Sequence, residues 1–326
     1  MKARILGTAL VALCAAPAAL AQTPANSPTS TYTVSKTPFG HPSLEGIWTS
    51  NFMTILEGSP DVPLVLPEKE AKDFVDKAVH AFAERSERGL DPELPEIARA
   101  TEGLPIVRGE RRTRTVVQPA SGVLPYTEEA RKESKAGPVT KRYDNPEERP
   151  AWERCLVGMA VPPVTQVGAG SLNPRQIFQT SPEQIIIHSE YGDEARIIPF
   201  ATTHKPKVLH NSALGDSIAR WEGETLVIET VSLPEVDRVR LVSNLVVTKN
   251  SKVIERFTRL SDNELLYQYT VEDPAIYTAP WQAEYSLYRT DQRMFESSCH
   301  EGNYSLANVL KGGRAVDRRQ LSDKQP

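Results

Sequence analysis

The segment with the densest set of chemically active side chains is Cys299-His300-Glu301-Gly302-Asn303-Tyr304. Histidine titrates near neutral pH and can move protons, and a tyrosine hydroxyl can donate a hydrogen bond. We expect His300 to act as a general acid or base, Tyr304 as a hydrogen-bond donor, and Glu301 as a ligand contact. The alternative is that His300 and Glu301 cap the helix that follows and bond loop backbone.

A second set of reactive side chains lies on a predicted strand from 183 to 191 and on the strand after it. His188 and Glu190 share one face of the strand because side chains alternate, and Arg196 follows a short turn later. Inside a barrel these groups would point at the lumen. Glu190 would then be a second acid or base, Arg196 would stabilise negative charge, and His188 would contact the ligand. The alternative is a structural ion pair on the outside.

The first residues have the features of a secretory signal peptide. Lys2 and Arg4 precede a short apolar run, and Ala19-Leu20-Ala21 forms a cleavage site. We therefore expect residues 1–21 to be removed and the mature protein to be periplasmic or secreted.

Removal of the signal peptide leaves two of the three cysteines, Cys155 and Cys299. Two thiols in an oxidising compartment favour a disulfide over two separate buried thiols. This bond would bring Arg154, His300 and Glu301 close to one fixed point, so Arg154 is a further candidate ligand contact.

No metal or cofactor is expected. Histidines 188, 204, 210 and 300, with Glu190, are candidate metal ligands, but their spacing matches no known metal motif. The chain has no HExxH or CxxC sequence, and it lacks the GxGxxG, GxxxxGK[ST] and GxSxG motifs of nucleotide-binding proteins and α/β-hydrolases.

Composition excludes two further classes of partner. The chain has 326 residues, 38 of them basic and 42 acidic, for a formal net charge of -4. Phosphate backbones are bound by clustered Lys and Arg, so we expect no nucleic-acid partner. Beyond the signal peptide no apolar run approaches twenty residues, so we expect no stable membrane insertion. The oligomeric state is left open.

The elements that must position these residues are mainly strands. Period-2 patterns separated by turns predict strands at 44–49, 113–117, 183–191, 196–200, 218–221, 225–230, 241–248, 252–260, 264–272, 282–289 and 294–298. Helices are predicted at 67–88, 93–100, 127–135 and 303–310. Many short strands joined by turns indicate a mainly β protein, an antiparallel sheet closed into a barrel.

The domain boundaries follow from the same patterns. Residues 22–43 form a flexible leader, 44–315 a single barrel domain, and 316–326 a polar tail. Helices and proline-rich loops at about 60–180 form an insertion that caps one end of the barrel. Most strand aromatics belong to the core, and we expect Trp48 and Trp281 to line a ligand cavity.

Several strings in the sequence carry a resemblance. Gly46-Ile47-Trp48 resembles the Gly-x-Trp signature of lipocalin-type barrels. The strings GDSIARWEGETLVIET, ERFTRLSDNELLYQYTVEDP and CHEGNY, in this order, resemble a large bacterial family of secreted proteins of unknown function. The resemblance covers about residues 44–315 and implies a lipocalin-like or calycin-like barrel without a settled reaction. Where many members have His-Asp-x-Arg, this chain has Gly192-Asp193-Glu194-Ala195-Arg196.

Three functions fit these observations. The first is a cofactor-independent enzyme, a lyase, isomerase or hydrolase, acting by proton transfer on a small aromatic or apolar molecule in the barrel. The second is a non-catalytic periplasmic binding protein that uses the same cavity. The third is an envelope structural protein with a filled barrel.

Overall fold

The computed structural model describes residues 32–50, 52, 55–87, 103–135, 143, 145–149, 153–157, 174–206, 212–233 and 248–322. All the elements below belong to the compact unit Thr33–Pro326. The predicted signal peptide, the predicted helix at 93–100 and most of the predicted strand at 241–248 lie outside the described residues.

Ten strands form the main sheet. They are β1 (Gly46–Thr49), β5 (Val116–Gln118), β6 (Arg175–Phe178), β7 (Gln184–Ser189), β8 (Glu194–Pro199), β9 (Asp216–Glu222), β10 (Thr225–Val231), β11 (Lys252–Arg259), β12 (Glu264–Glu272) and β13 (Trp281–Arg289). A second, small sheet has β2 (Val65–Leu66), β3 (Ile106–Val107) and β4 (Glu110–Arg112). The helices are α1 (Glu68–Glu87), α2 (Glu128–Lys135) and α3 (Ser305–Ser322).

The main sheet is a nearly closed antiparallel barrel. Its strand order is β8-β7-β6-β1-β13-β12-β11-β10-β9, and β5 also pairs with β13. The first and last strands, β8 and β9, meet through an isolated parallel bridge between Phe200 and Ala219. The mainly β fold and the antiparallel barrel predicted from the sequence are therefore confirmed.

Alternation of side chains explains which residues lie inside. Along β11, Val253, Glu255, Phe257 and Arg259 are buried while the residues between them are only partly so. The same alternation places Tyr267 and Tyr269 of β12 inside, opposite Phe257 and Glu255 of β11. The apolar and aromatic members of this set belong to one continuous core that includes Trp48 and Trp281.

The insertion covers more of the barrel than one end. Outward-facing Glu284 of β13 lies 3.3 Å from the Arg108 guanidinium and 3.6 Å from that of Arg112, so the small sheet packs on the outer wall. Near the β12–β13 connection, Leu124, Tyr126 and Ala130 join the core cluster, and this part does cover an end. The predicted N-cap of α2 is present, because Thr127 Oγ1 accepts a hydrogen bond from the Ala130 amide.

Several predicted boundaries were wrong. Residues 294–298 form no strand, and the closing helix α3 extends to Ser322, into the predicted tail. Strand β6 lies in the region predicted to be loop, because neighbouring prolines hid its short Arg175–Phe178 pattern. The predicted strand at 113–117 is displaced to Val116–Gln118.

Candidate functional site

The barrel interior contains a compact polar cluster. Both terminal nitrogens of Arg196 donate to the Glu255 carboxylate, at 3.0 and 2.6 Å, and Tyr267 donates to the same carboxylate at 2.9 Å. Arg196 also donates to Ser217 and Thr230. Glu255 is fully buried and Arg196 is only 4% exposed, so the pair lies in a low-dielectric environment.

Burial shifts the titration of the neighbouring tyrosines. Loss of hydration raises the pKa of Tyr267 well above its usual value, and the negative charge of Glu255 beside it raises it further. Loss of hydration likewise raises the pKa of Tyr269. Both phenols therefore stay neutral over the physiological pH range and act as structural groups.

This interior is filled by side chains. Leu226, Ile228, Val253, Tyr267 and Tyr269 have no water-accessible surface. Trp48 and Trp281 are buried in the same core: the Trp48 indole donates to the Leu44 carbonyl, and Trp281 packs edge-on against Tyr269 and Tyr277. The prediction that these two tryptophans line a cavity was wrong, because facing aromatic rings occupy the space.

A cleft outside the packed interior is bounded by the predicted disulfide. Cys155 and Cys299 are bonded, with their Cα atoms 5.7 Å apart, and Nδ2 of the Asn303 side chain donates to the Cys155 sulfur at 3.1 Å. The cleft has a volume of about 970 Å³, within the size range of small-molecule sites.

Three segments form the walls of this disulfide cleft: the loop 153–157, the β7–β8 turn 191–194, and the stretch 296–309 that leads into α3. The described residues lining it are Glu153, Cys155, Val157, Tyr191, Gly192, Asp193, Glu194, Glu296, Ser297, Ser298, Cys299, His300, Glu301, Asn303, Ser305, Leu306 and Val309.

Each wall is anchored to the rest of the protein. Arg149, itself buried, binds both carboxylate oxygens of Glu153. Val157 packs against Leu214 in a small separate cluster. Glu190 accepts a hydrogen bond from the Phe295 amide at 2.7 Å, which ties the C-terminal stretch to the end of β7.

Among the described residues, one large exposed hydrophobic side chain lines this cleft. Of the nine large hydrophobic residues that are exposed in the described part of the chain, Tyr191 lines the cleft, and Leu156, Phe295 and Tyr304 are sequence neighbours of lining residues. Phe295 is 72% and Tyr304 76% exposed. Neighbours along an extended segment point their side chains to opposite sides, so adjacency in the sequence does not place Leu156, Phe295 and Tyr304 at the cleft.

The predicted site residues fall into two separate groups. His300, Glu301, Cys155 and Cys299 line the cleft, and Arg154 and Tyr304 are adjacent to lining residues. Arg196 faces the barrel interior as predicted, but its partner there is Glu255 of β11 and not Glu190. The four predicted catalytic residues His300, Glu190, Arg196 and Tyr304 therefore do not converge on one reacting centre.

His188 and Glu190 do not face the lumen. Ile185, Ile187 and Ser189 occupy the inward positions of β7, so His188 lies on the outer face. Its Nε2 contacts Asp193 Oδ1 at 2.8 Å, which positions a cleft-lining carboxylate. The prediction that the two residues face the lumen was wrong. Side-chain alternation shows that His188 and Glu190 share a face of the strand, but it does not show which face points into the barrel.

The sequence reasoning missed Glu255 and most of the cleft. The available signal was that Glu255 alternates with the apolar residues Val253 and Phe257, which places its carboxylate on the buried face of the strand. A buried charge requires a partner, so this position could have been recognised as part of a polar cluster. Asp193, Glu296, Leu306 and Val309 are brought together only by the folded chain. Within the described ranges, no group of three or more His, Cys, Asp or Glu side chains is arranged to hold a metal ion. The helices described there include none with the length and apolarity of a membrane span.

Comparisons with known proteins give little further information. No protein-family model and no curated protein matches the chain. Among solved structures, a single-residue mutant of the fluorescent protein UnaG is similar over 43% of this chain and 86% of its own length, with 11% sequence identity and a TM-score of 0.26. The resemblance to the secreted bacterial family stays a prediction.

Proposed function

We propose that this protein is a non-catalytic, extracytoplasmic binding protein whose small-molecule ligand occupies the disulfide cleft. The observation that carries the proposal is a cleft of about 970 Å³ that Tyr191, Leu306 and Val309 line together with polar side chains. A concave site with apolar and aromatic edges and a few polar groups is the usual form of a small-molecule site.

The disulfide supports both the location and the rigidity of the site. Bonds of this kind persist mainly in oxidising compartments. Cys155–Cys299 joins two walls of the cleft that are 144 residues apart in the sequence. A site held in one shape before binding loses less conformational entropy when the ligand enters.

Binding is favoured over catalysis by the exposure of the candidate catalytic groups. His300, Glu301 and Tyr304 are open to solvent, whereas proton transfer in enzymes uses groups held against the substrate with water excluded. The filled interior would also suit a structural protein, but such a protein has no need of an open cleft of about 970 Å³.

The test is a screen of cationic, neutral and anionic aromatic fragments by saturation-transfer NMR, with two variants of α3. Val309 lines the cleft and Asn308 beside it does not. Val309→Trp should fill the cleft and abolish binding of the fragments found, while the control Asn308→Trp should retain it. Fragments that bind Val309→Trp as well as the native protein would contradict the proposal.

Catalysis is tested on the same complexes. A bound fragment incubated with the protein should be recovered unchanged by mass spectrometry. His300→Ala should alter affinity alone, since this residue lines the cleft without reacting. Turnover that is lost in His300→Ala with an unchanged thermal melt would establish the enzyme instead.

A further inference from the structure

We infer that pH regulates the disulfide cleft through His204, which in its protonated form holds the barrel closed beside one wall of the cleft. This inference rests on the proposed function, because it concerns the regulation of the same site. We call the line along which the first and last strands of the sheet, β8 and β9, meet the seam.

Side chains supply much of the closure of the seam. Among the described residues, one backbone bridge joins the two strands, between Phe200 and Ala219. A cavity of about 140 Å³ remains between them. Arg196 crosses the seam inside the barrel, where it donates to Ser217 of β9. His204, which follows β8 in the chain, crosses it on the outer face.

His204 lies between two carboxylates on neighbouring strands. Its Nδ1 is 2.8 Å from Asp216 Oδ2 at the start of β9, and its Nε2 is 3.3 Å from Glu229 Oε1 on β10. An imidazole donates from both nitrogens only when it is protonated, and the neutral ring presents a lone pair to one of its two partners. The protonated ring therefore holds both strands, whereas the neutral ring can hold one.

The other charged groups near this ring keep their charge around neutral pH. The Lys205 amide donates to Asp216 at 3.0 Å, and its own side chain is exposed. The further charged side chains on the outer faces of β9 and β11 are Arg220, Glu222, Lys252 and Arg256. Lysine, arginine and glutamate commonly titrate well outside the range of about pH 5–8 in which histidine changes charge. His204 is therefore the group in this set that responds to pH in that range.

A short run of contacts connects the seam to the cleft. Asp216 directly follows the loop 212–215, and Leu214 of this loop packs against Val157. Val157 in turn lines the disulfide cleft. Loss of one of the two His204 contacts weakens the attachment of the loop to the barrel, so the wall at Val157 should become more mobile as pH rises.

The first test needs no ligand. Methyl NMR of valine-labelled protein follows Val157 between about pH 5 and about pH 8, the range in which histidines exchange their proton, and the ring signals of His204 are recorded on the same samples. We expect the Val157 signals to change with the same midpoint as the His204 ring. Hydrogen exchange of residues 212–219, corrected for its intrinsic pH dependence, should become faster over the same range.

Glu229→Gln is the decisive variant. The glutamine amide can donate to the neutral ring while the other ring nitrogen donates to Asp216, so both contacts persist without the extra proton. We expect Val157 to lose its response to pH in this variant. In His204→Gln the wall should stay mobile at every pH, because an amide cannot donate in both directions.

His80→Gln is the matched control. His80 also contacts a carboxylate, Glu84, but on the exposed surface of α1, and its replacement should leave the response of Val157 unchanged. His188 and His300, which contact or line the cleft, remain in all three variants. Their own titration therefore contributes equally and cancels when each variant is compared with the native protein.

Binding provides the second test. For the fragments that Val309→Trp excludes, we expect the affinity to fall at least about fivefold between about pH 6 and about pH 8, the lower end of typical coupling between sites, and by less than about twofold in Glu229→Gln. Val157 signals that ignore the His204 titration, or that respond equally in Glu229→Gln, would overturn the inference and leave the binding function intact. A screen without any binding fragment would overturn the proposed function, and the ligand-free spectra would still decide whether His204 controls this wall.

Discussion

At the scale of single residues, the buried pair of Arg196 and Glu255 has a large energetic consequence. Two charges in the interior lose their hydration, and the loss is offset by two direct hydrogen bonds and by Tyr267, Ser217 and Thr230 around them. Since the cost of desolvation offsets much of the attraction, we expect the pair to add little net stability.

Removing one member of that pair should be far more damaging than removing both. Glu255→Gln leaves a buried guanidinium without its counter-charge, and we expect the unfolding free energy to fall by about 3–5 kcal/mol. The combined variant Arg196→Met and Glu255→Gln should recover part of this loss. Urea denaturation of both single variants and the double variant measures the coupling.

An exposed ion pair provides the control for this experiment. Glu222 on the barrel surface pairs with Arg220 and Arg256, and the three side chains are 32–49% exposed, so Glu222→Gln should cost no more than about 1 kcal/mol for each pair. A similar loss for Glu255→Gln and Glu222→Gln would show that the interior pair is not desolvated as described.

At the scale of elements, helix α3 approaches the rest of the protein closely at Gly313. The backbone at Gly313 lies so near Tyr143 that an added Cβ would be 2.2 Å from the Tyr143 Cβ, whereas a Cβ at Gly312 would meet nothing within 4 Å. The Tyr143 ring is covered by the Arg149 guanidinium, which also holds Glu153 at the cleft. The docking of α3 is therefore linked to one wall of the cleft.

The two adjacent glycines predict opposite effects of the same substitution. Gly312→Ala should stabilise the helix by about 1 kcal/mol, because alanine favours helix. Gly313→Ala gains the same helix propensity, but the added methyl group collides with Tyr143. The free energy with which helix α3 docks should therefore be weaker by about 1–3 kcal/mol in Gly313→Ala than in Gly312→Ala. The rate of tryptic cleavage within α3 measures this local opening. Equal rates for the two variants would show that α3 does not pack on Tyr143.

At the scale of the whole molecule, the aromatic interior determines the response to high pH. In the unfolded chain a tyrosine loses its proton near its ordinary pKa of about 10, whereas burial raises the pKa values of Tyr267 and Tyr269 in the folded protein. Above this pH the unfolded state binds fewer protons than the folded state, so stability falls as pH rises.

We expect the unfolding free energy to decrease above about pH 10 by about 1.4 kcal/mol per pH unit for each of these tyrosines. Tyr269→Phe should remove one such contribution, and Tyr304→Phe, at an exposed position, should leave the slope unchanged. Denaturation curves between about pH 8 and about pH 11 give the slopes. A slope in Tyr269→Phe equal to that of the native protein would refute the account.

Much of the barrel was predictable from local patterns. The strand predicted at 264–272 matches β12, and β11 and β13 differ from their predicted bounds by one residue each, because alternation of apolar side chains extends over eight or nine residues in each. Strand β6 was missed since four residues among prolines carry too little periodicity to recognise.

Residue identity alone determined that this chain forms many antiparallel strands, that Cys155 and Cys299 bond, and that His300 and Glu301 lie beside that bond. Only the folded chain decided which strand face is inside, because alternation defines two faces without orienting them. It also decided that rings and a charged pair fill the barrel, and that the open space lies outside, where segments distant in sequence meet. Packing of this kind depends on the volumes of side chains far apart along the chain, which no local pattern encodes.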